Sequence, residues 1–294
     1  MTATRDLGAL DGPVLVFGGP YGNLAATRAV LGEAGRLGIP RERIVCTGDV
    51  VAYCGEPAET VALVRDSGVA VVMGNVEESL ADDAEDCGCG FEEDTACARL
   101  SVDWYAFARR ALDAEAKSWM RALPRHLTFS LAGRRLAVIH GGAVAINRFV
   151  FPSTPAGDKR AELALAGADG VIAGHSGLPF AELLGDRLWL NAGVVGMPAN
   201  DGTPRGWYAL LIPRVRAIRV AFFPLAYDHA AAARTMAARG LPRDYAEALS
   251  TGLWPSMDVL PPAERRARGR PLAPVDLVWP AARVAAAPSL TAGA

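Results

Sequence analysis

The sequence lacks the features that mark a membrane-spanning or nucleic-acid-binding protein. None of its apolar runs reaches the roughly 18 residues that a membrane-spanning helix needs. Its formal net charge of −2 offers no basic surface to nucleic acid or to an anionic membrane. The first residues, MTATRDLGALDGP, contain neither a basic start nor an apolar signal core. We therefore expect a cytoplasmic protein with no nucleic acid and no membrane among its partners.

Cysteine and histidine are also scarce, with five and four residues among 294. In a reducing cytoplasm we expect the cysteines to be thiols or ligands rather than disulfides. Cys87, Cys89 and Cys97 lie in an acidic stretch, residues 77–99, that we interpret as an insertion. Their spacing lacks the CxxC pairs of a zinc ribbon. Three interpretations stay open: plain reduced thiols, a redox pair, or ligands of a second metal.

Apolar residues are plentiful, at 51% of the chain, which is enough for one large or two small domains. The first 75 residues alternate strand-like apolar runs with helical patterns: PVLVF, LAATRAVLGEAGRLG, RIVCT, ETVALVRDSG and VAVVM. This βαβ succession indicates parallel strands. Further strands are predicted in a hairpin, LTFSLAGRRLAVIH, and in VIAG, PFAELL, RLWLNAG, GWYALLIP and RAIRVAFF. The pattern predicts an α/β protein.

Four of the apolar runs end at residues that can bind a metal: Asp49, Asn75, His140 and His175. Because sites lie at the rim of a sheet, outside the strand ends, we predict that these four side chains form one metal site. Two imidazoles, a carboxylate and an amide oxygen suit one divalent ion of Mn, Fe or Zn. The alternative is structural: Asp and Asn close turns, and a lone His is often a buried, hydrogen-bonded core residue.

Six short blocks carry a resemblance to a known family. They are GPYGNL at 19–24, GDVVAY at 48–53, GNVEE at 74–78, HGG at 140–142, GHSG at 174–177 and NAGVVGMP at 191–198. In order and spacing they resemble the blocks of calcineurin-like metallophosphoesterases, particularly the small bacterial phosphodiesterase and dinucleotide-polyphosphatase-like branch. The resemblance implies a four-layer α/β/β/α sandwich with two mixed β-sheets. We expect this domain at 13–226, a helical extension at 227–279 and a flexible tail at 280–294.

The resemblance also shows which ligands this chain lacks. In the family, the positions that hold the first metal correspond here to Gly19, Tyr21, Asp49 and Gly177, so three of four ligands are replaced. The positions that hold the second metal correspond to Asp49, Asn75, His140 and His175, and all four are present. The family's histidine near the leaving group is Val76, which cannot transfer a proton. The sequence therefore predicts half of a two-metal centre.

The function that the resemblance implies is hydrolysis of a small phosphorylated substrate or nucleotide by a metal-dependent phosphoesterase. We predict Glu77 as a general base and Tyr21 as a hydroxyl donor to a substrate oxygen. Asn23, Asn191 and Arg205 are predicted to contact the substrate, the arginine by binding a phosphate in bidentate fashion. Two other functions stay open: a non-hydrolytic metal- or nucleotide-binding regulatory protein, and a mononuclear iron redox protein aided by the insertion's cysteines.

Overall fold

The structure is a computed structural model that describes residues 4–280. Apart from Pro280, the tail predicted at 280–294 lies outside the described residues. Within the described range, no helix combines the length and the apolar character needed to cross a membrane.

The described residues form twelve strands and nine α-helices in two layers of each kind. The strands are β1 (Thr4–Leu10), β2 (Val14–Phe17), β3 (Ile44–Cys46), β4 (Ala70–Val71), β5 (His126–Leu131), β6 (Arg134–Val138), β7 (Gly170–Ala173), β8 (Pro179–Leu184), β9 (Arg187–Ala192), β10 (Gly206–Arg214), β11 (Ala217–Leu225) and β12 (Asp276–Pro280). The helices are α1 (Leu24–Arg36), α2 (Pro57–Ser67), α3 (Asn75–Ala81), α4 (Ala96–Ala111), α5 (Ala114–Arg121), α6 (Ala156–Leu165), α7 (His229–Ala238), α8 (Arg243–Thr251) and α9 (Pro262–Ala267).

Both sheets are mixed, as the sequence predicts. The first has the order β1-β5-β6-β7-β9-β8, with β6, β7 and β9 parallel to one another and β8 antiparallel at its edge. The second has the order β12-β11-β10-β2-β3-β4, with β2, β3 and β4 parallel. The parallel strands β2, β3 and β7 are short and fully buried, which explains why they are continuous apolar runs in the sequence.

The four-layer sandwich is confirmed, because the apolar side chains are distributed between a core that separates the two sheets and clusters on their outer faces. Alternate residues of β2 face opposite sides: Val14 and Val16 belong to a core between the two sheets, whereas Leu15 and Phe17 pack under the helices on the outer face. Helices α1 and α2 cover that outer face of the second sheet. Leu163 of α6 packs in a third apolar cluster on the outer face of the first sheet.

Two strands at the sheet edges correct the predicted domain boundaries. Strand β1 precedes residue 13 and pairs in parallel with β5, so the first sheet includes residues that we had placed before the domain. The segment 227–279 contains α7, α8 and α9 but ends in β12, which pairs antiparallel with β11. The segment predicted as a helical extension therefore contains helices followed by a strand.

The acidic insertion, residues 77–99, begins inside α3 and ends in the first turn of α4, with turns between the two helices. The sulfur atoms of Cys87 and Cys89 are joined in a disulfide. The expectation that the cysteines are thiols is wrong for this pair. Cys46, Cys54 and Cys97 are free.

Candidate metal centre

The four predicted metal ligands come together in the structure, each from a loop at the end of a strand. Asp49 follows β3 and Asn75 follows β4 in the second sheet, whereas His140 follows β6 and His175 follows β7 in the first sheet. Asp49, His140 and His175 each offer a ligand atom within 4.8 Å of the others. The loops from the two sheets meet at this point, so the cluster lies across the boundary between the sheets.

Backbone conformations that side chains rarely adopt make this close approach possible. Asp49 and His175 have φ values of 53° and 59°, in the left-handed region. A Cβ atom at Gly48 would lie 2.7 Å from the Gly74 nitrogen, and one at Gly74 would lie 2.3 Å from Asp49 Oδ1. Glycine in the GD and GN blocks is thus required by the packing of one loop against the other.

Nε2 of His140 lies at the centre of the cluster. It is 3.0 Å from Asn75 Oδ1, 3.2 Å from Asp49 Oδ2 and 3.2 Å from His175 Nδ1. Its other ring nitrogen, Nδ1, lies 2.6 Å from the carbonyl oxygen of Thr47 and donates its proton there. In that tautomer Nε2 carries a lone pair and faces the cluster, as it does in a metal-binding histidine.

Hydrogen bonds also fix the orientation of Asn75 and Asp49. The Asn75 Nδ2 group donates to the Cys87 carbonyl at 2.9 Å and to Cys89 Sγ at 3.4 Å, so its Oδ1 must face His140. Oδ1 of Asp49 accepts from the Val76 N–H at 3.3 Å, which leaves Oδ2 for the cluster. With His140 neutral, the cluster presents acceptor atoms to acceptor atoms, an arrangement that a shared cation stabilises.

The pKa values of the two histidines shift in opposite directions, because His140 also has a direct hydrogen-bond contact with the Asp49 carboxylate. Burial would lower the pKa of His140, but the Asp49 carboxylate beside it raises that pKa overall. Burial would raise the pKa of Asp49, and the two imidazoles lower it overall. Burial, together with His140, lowers the pKa of His175 to about 3, so this ring is neutral near pH 7. Two imidazole nitrogens, a carboxylate oxygen and an amide oxygen fit a divalent ion of Mn, Fe or Zn.

Glu77 has surroundings that do not suit the general base predicted for it. Its carboxylate is completely buried and accepts N–H groups from Asp49 and Val50 at 2.8 Å and from Gly74 at 2.9 Å. Burial and the nearby Asp49 charge raise its pKa to about 7. Because both of its oxygens bind backbone groups of the two ligand loops, Glu77 holds these loops together. We correct its role from base to loop clamp.

The three predicted substrate contacts are corrected in the same way. Asn23 caps α1 by accepting from Ala26 N at 3.1 Å. Asn191 donates from Nδ2 to the Gly174 carbonyl at 2.5 Å and to Ser176 Oγ at 2.9 Å, on either side of His175. Both asparagines are buried and hydrogen-bonded within the protein, which does not favour the predicted substrate contacts.

Arg205 is engaged away from the metal ligands. It donates to the Leu272 carbonyl at 2.6 Å and to Asp201 at 3.2 Å. Its guanidinium lies over the Trp207 ring, 4.8 Å from the centroid. Both bonds come from Nη2, and the buried Asp201 carboxylate already pairs with this guanidinium, so the predicted bidentate phosphate contact does not fit this arrangement.

Tyr21 does lie beside the cluster, in the wall of a cavity that His175 also lines. Its ring packs edge-on against Tyr53, with centroids 4.9 Å apart. A Cβ atom at Gly19 would lie 2.7 Å from the Tyr21 ring, and one at Gly177 would lie 3.1 Å from Trp254. Aromatic rings therefore lie next to Gly19 and Gly177, which stand at two of the replaced ligand positions.

Sequence reasoning missed Thr47 and the far wall of the cavity. Thr47 orients His140 through its backbone carbonyl. Every residue has such a carbonyl, so the sequence alone cannot identify the one that contacts His140. Phe91 comes from the acidic insertion, whereas Tyr245 and Trp254 come from the C-terminal segment. The aromatic residues of these two segments were the available signal, but nothing in their spacing indicates that they meet.

The sequence of this chain is similar to a known protein family and to a known protein. The family model described as the calcineurin-like phosphoesterase superfamily domain matches residues 22–212. An uncharacterised protein of Methanocaldococcus jannaschii is 24% identical over 203 residues, which are 65% of this chain and 77% of that protein.

Two solved structures share the fold. A metallophosphoesterase from Sphaerobacter thermophilus is 24% identical with a TM-score of 0.65, and a hypothetical protein from Pyrococcus horikoshii is 18% identical with a TM-score of 0.68. Each comparison covers 83% of this chain and 100% of the other.

Proposed function

Because this chain belongs to the calcineurin-like phosphoesterase superfamily, we propose that it hydrolyses a phosphoester with a single divalent metal ion. Asp49, Asn75, His140 and His175 would hold the ion. When bound, the ion supplies positive charge that polarises a phosphoryl oxygen and makes a water molecule more acidic. The substrate is a small phosphorylated compound, in keeping with the family's chemistry.

The observation that carries this proposal is the convergence of three acceptor atoms on His140 Nε2 at 3.0 to 3.2 Å. Each of the four side chains is oriented by its own backbone or by a neighbour, so no rearrangement is needed to bring them together. Pre-oriented ligands are typical of a working centre, because loss of the orienting partners costs metal sites affinity and activity.

A single ion is favoured over two by the groups that stand at the replaced positions. Tyr21, Val194 and Trp254 surround Gly19 and Gly177, and none of them can supply a ligand like the histidines and aspartate of the family. With one ion, the attacking and leaving oxygens are not both clamped. We therefore expect slow turnover that depends on a good leaving group.

The first prediction concerns hydrolysis itself. Protein depleted of metal by a chelator and reloaded with Mn²⁺, Fe²⁺ or Zn²⁺ is expected to hydrolyse bis(p-nitrophenyl) phosphate, measured by nitrophenolate release. His175→Ala removes a ligand, and we expect a loss of at least about 100-fold, since even orienting partners of ligands contribute 10–100-fold. His229→Ala is the matched control, because this half-buried histidine lies at the start of α7.

The proposal fails if no metal restores hydrolysis above the level of His175→Ala. It also fails if His229→Ala and His175→Ala lose activity equally, since the loss would then reflect general damage to the protein.

A non-hydrolytic binding function is the second candidate, and Val76 is the observation that favours it. This side chain is 1% exposed and stands where the family has a histidine near the leaving group. If nucleotides bind in calorimetry and are recovered intact, with no hydrolysis of activated esters, this second function replaces the first.

A further inference from the structure

The cavity beside His175 has an aromatic lining that the metal ligands do not require. We propose that this cavity binds a single-ring aromatic group of a phosphoester whose phosphate lies at the metal ligands. The proposal deepens the proposed function and rests on it for the position of the phosphate. The aromatic side chains of the lining come from five separate segments of the chain: Tyr21, Tyr53, Phe91, Phe149, Tyr245 and Trp254.

The position of the cavity connects it to the metal ligands. His175 is both a ligand and part of the lining, and the Phe149 ring packs on it with centroids 4.2 Å apart. A group in the cavity is therefore one side chain away from the cluster around His140. A ring in the cavity and a phosphate at the metal ligands would therefore both lie against His175.

Rings on one side of the cavity are held rigidly by one another. Tyr53 packs against Tyr21, Trp104 and Tyr245, with centroid distances of 4.9, 5.1 and 4.7 Å. Phe149 stacks on Phe151 at 5.8 Å. A rigid aromatic wall binds a flat group without losing much side-chain freedom.

The other side presents rings whose faces are free. Trp254 is held by its Nε1 group, which donates to the Pro198 carbonyl at 2.6 Å. Within the described part of the chain, neither Trp254 nor Phe91 stacks on another aromatic ring, and both are half-buried. Both rings line the cavity without a ring partner, so each can form an offset or edge-to-face contact with a ligand ring there.

The charge of the lining and the size of the cavity further restrict which chemical group can bind there. The described residues that line the cavity include no Asp, Glu, Lys or Arg, so a cationic group would find no carboxylate there. The polar groups of the lining are those of uncharged serine, cysteine and tyrosine side chains and of His175. The cavity measures about 70 Å³, compared with about 150 Å³ for an enclosed protein cavity that holds benzene. A single ring, enclosed in part, suits this space better than a fused base.

The test uses phosphonates, because their carbon–phosphorus bond is not hydrolysed and binding is then measured apart from turnover. Titration calorimetry of the metal-loaded protein compares phenylphosphonate with methylphosphonate. We expect phenylphosphonate to bind about tenfold tighter, as ring stacking contributes that order of affinity. Trp254→Leu is expected to remove most of this preference, whereas Trp119→Leu, a half-buried tryptophan on α5 outside the cavity, is expected to keep it.

Equal affinities for the two phosphonates would overturn the proposal, as would tighter binding of phosphocholine than of phenylphosphonate. An unchanged preference in Trp254→Leu would also overturn it. If Trp254→Leu does not fold by circular dichroism, Phe91→Leu takes its place, with Phe107→Leu on α4 as its control. Failure of hydrolysis with the phenyl preference intact would reject only the proposed function.

Discussion

The carbonyl of Thr47 determines how His140 can act. By accepting the Nδ1 proton at 2.6 Å, it leaves Nε2 as a lone pair that faces two oxygens and a second imidazole. Asn75 is oriented in the same way by the Cys87 carbonyl. Backbone groups from other loops thus orient these side chains as ligands. The identities of the side chains alone therefore do not describe the centre completely.

Glu77 provides a residue-scale prediction. Glu77→Gln places an amide NH₂ group against backbone N–H donors, so we expect the free energy of unfolding to fall by about 1–3 kcal/mol. Because the clamped loops carry Asp49 and Asn75, metal affinity is expected to fall by about 10- to 100-fold. Denaturant unfolding and metal titration of the variant measure the two effects.

Glu78→Gln is the matched control. Glu78 is the next residue on α3, pairs with Arg125 at the surface and has a side chain that is 32% exposed. Its loss is expected to change the free energy of unfolding by less than about 1 kcal/mol. Equal effects of the two substitutions would contradict the clamp.

At this scale the sequence predicts the ligands but not their supports. Asp49, Asn75, His140 and His175 stand at the ends of apolar runs, and the structure brings all four together. The roles assigned to Glu77 and Arg205 do not fit the structure. Their partners are backbone groups or residues that folding brings near. The residue type alone does not predict which of these partners a side chain contacts.

Among the elements, the inner strands follow from the sequence and the edge strands do not. Strand β2 and its parallel neighbours are buried on both faces, so each is a plain apolar run. Strand β1, with the sequence TRDLGAL, is mostly exposed and carries no comparable run. Strand β12 is five residues long and has only Trp279 fully buried. Edge strands such as these are specified by pairing with a partner strand more than by their own composition.

Strand β12 gives an element-scale prediction. Trp279 is completely buried, its Nε1 group donates to the Asp186 carbonyl at 2.9 Å, and its ring packs against Gly170 of the other sheet. Trp279→Ala is expected to lower the free energy of unfolding by about 3–5 kcal/mol, since it opens a large cavity. Val278→Ala, on the opposite face and 62% exposed, is expected to change it by about 0.5 kcal/mol at most.

Denaturant unfolding of both variants measures this difference. Similar small losses for the two substitutions would show that β12 does not tie the C-terminal segment to the core between the sheets.

At the scale of the whole molecule, the metal centre joins the two sheets. Asp49 and Asn75 come from the second sheet, and His140 and His175 come from the first. The insertion and the C-terminal segment, which lie outside the parallel strands, meet over His175 and form the aromatic cavity. The family resemblance predicts the shared part of this architecture. It does not predict the cavity, because part of the lining, Phe91, Tyr245 and Trp254, comes from the insertion and the C-terminal segment rather than from the six family-like blocks.

The central claim is that four side chains from the two sheets hold one ion. Titration of metal-free protein with Mn²⁺, followed by calorimetry, tests it most directly. We predict one ion per chain for the unaltered protein and loss of that binding in His140→Ala, with His126→Ala on β5 unchanged. Two ions per chain, no binding, or full binding by His140→Ala would contradict the account.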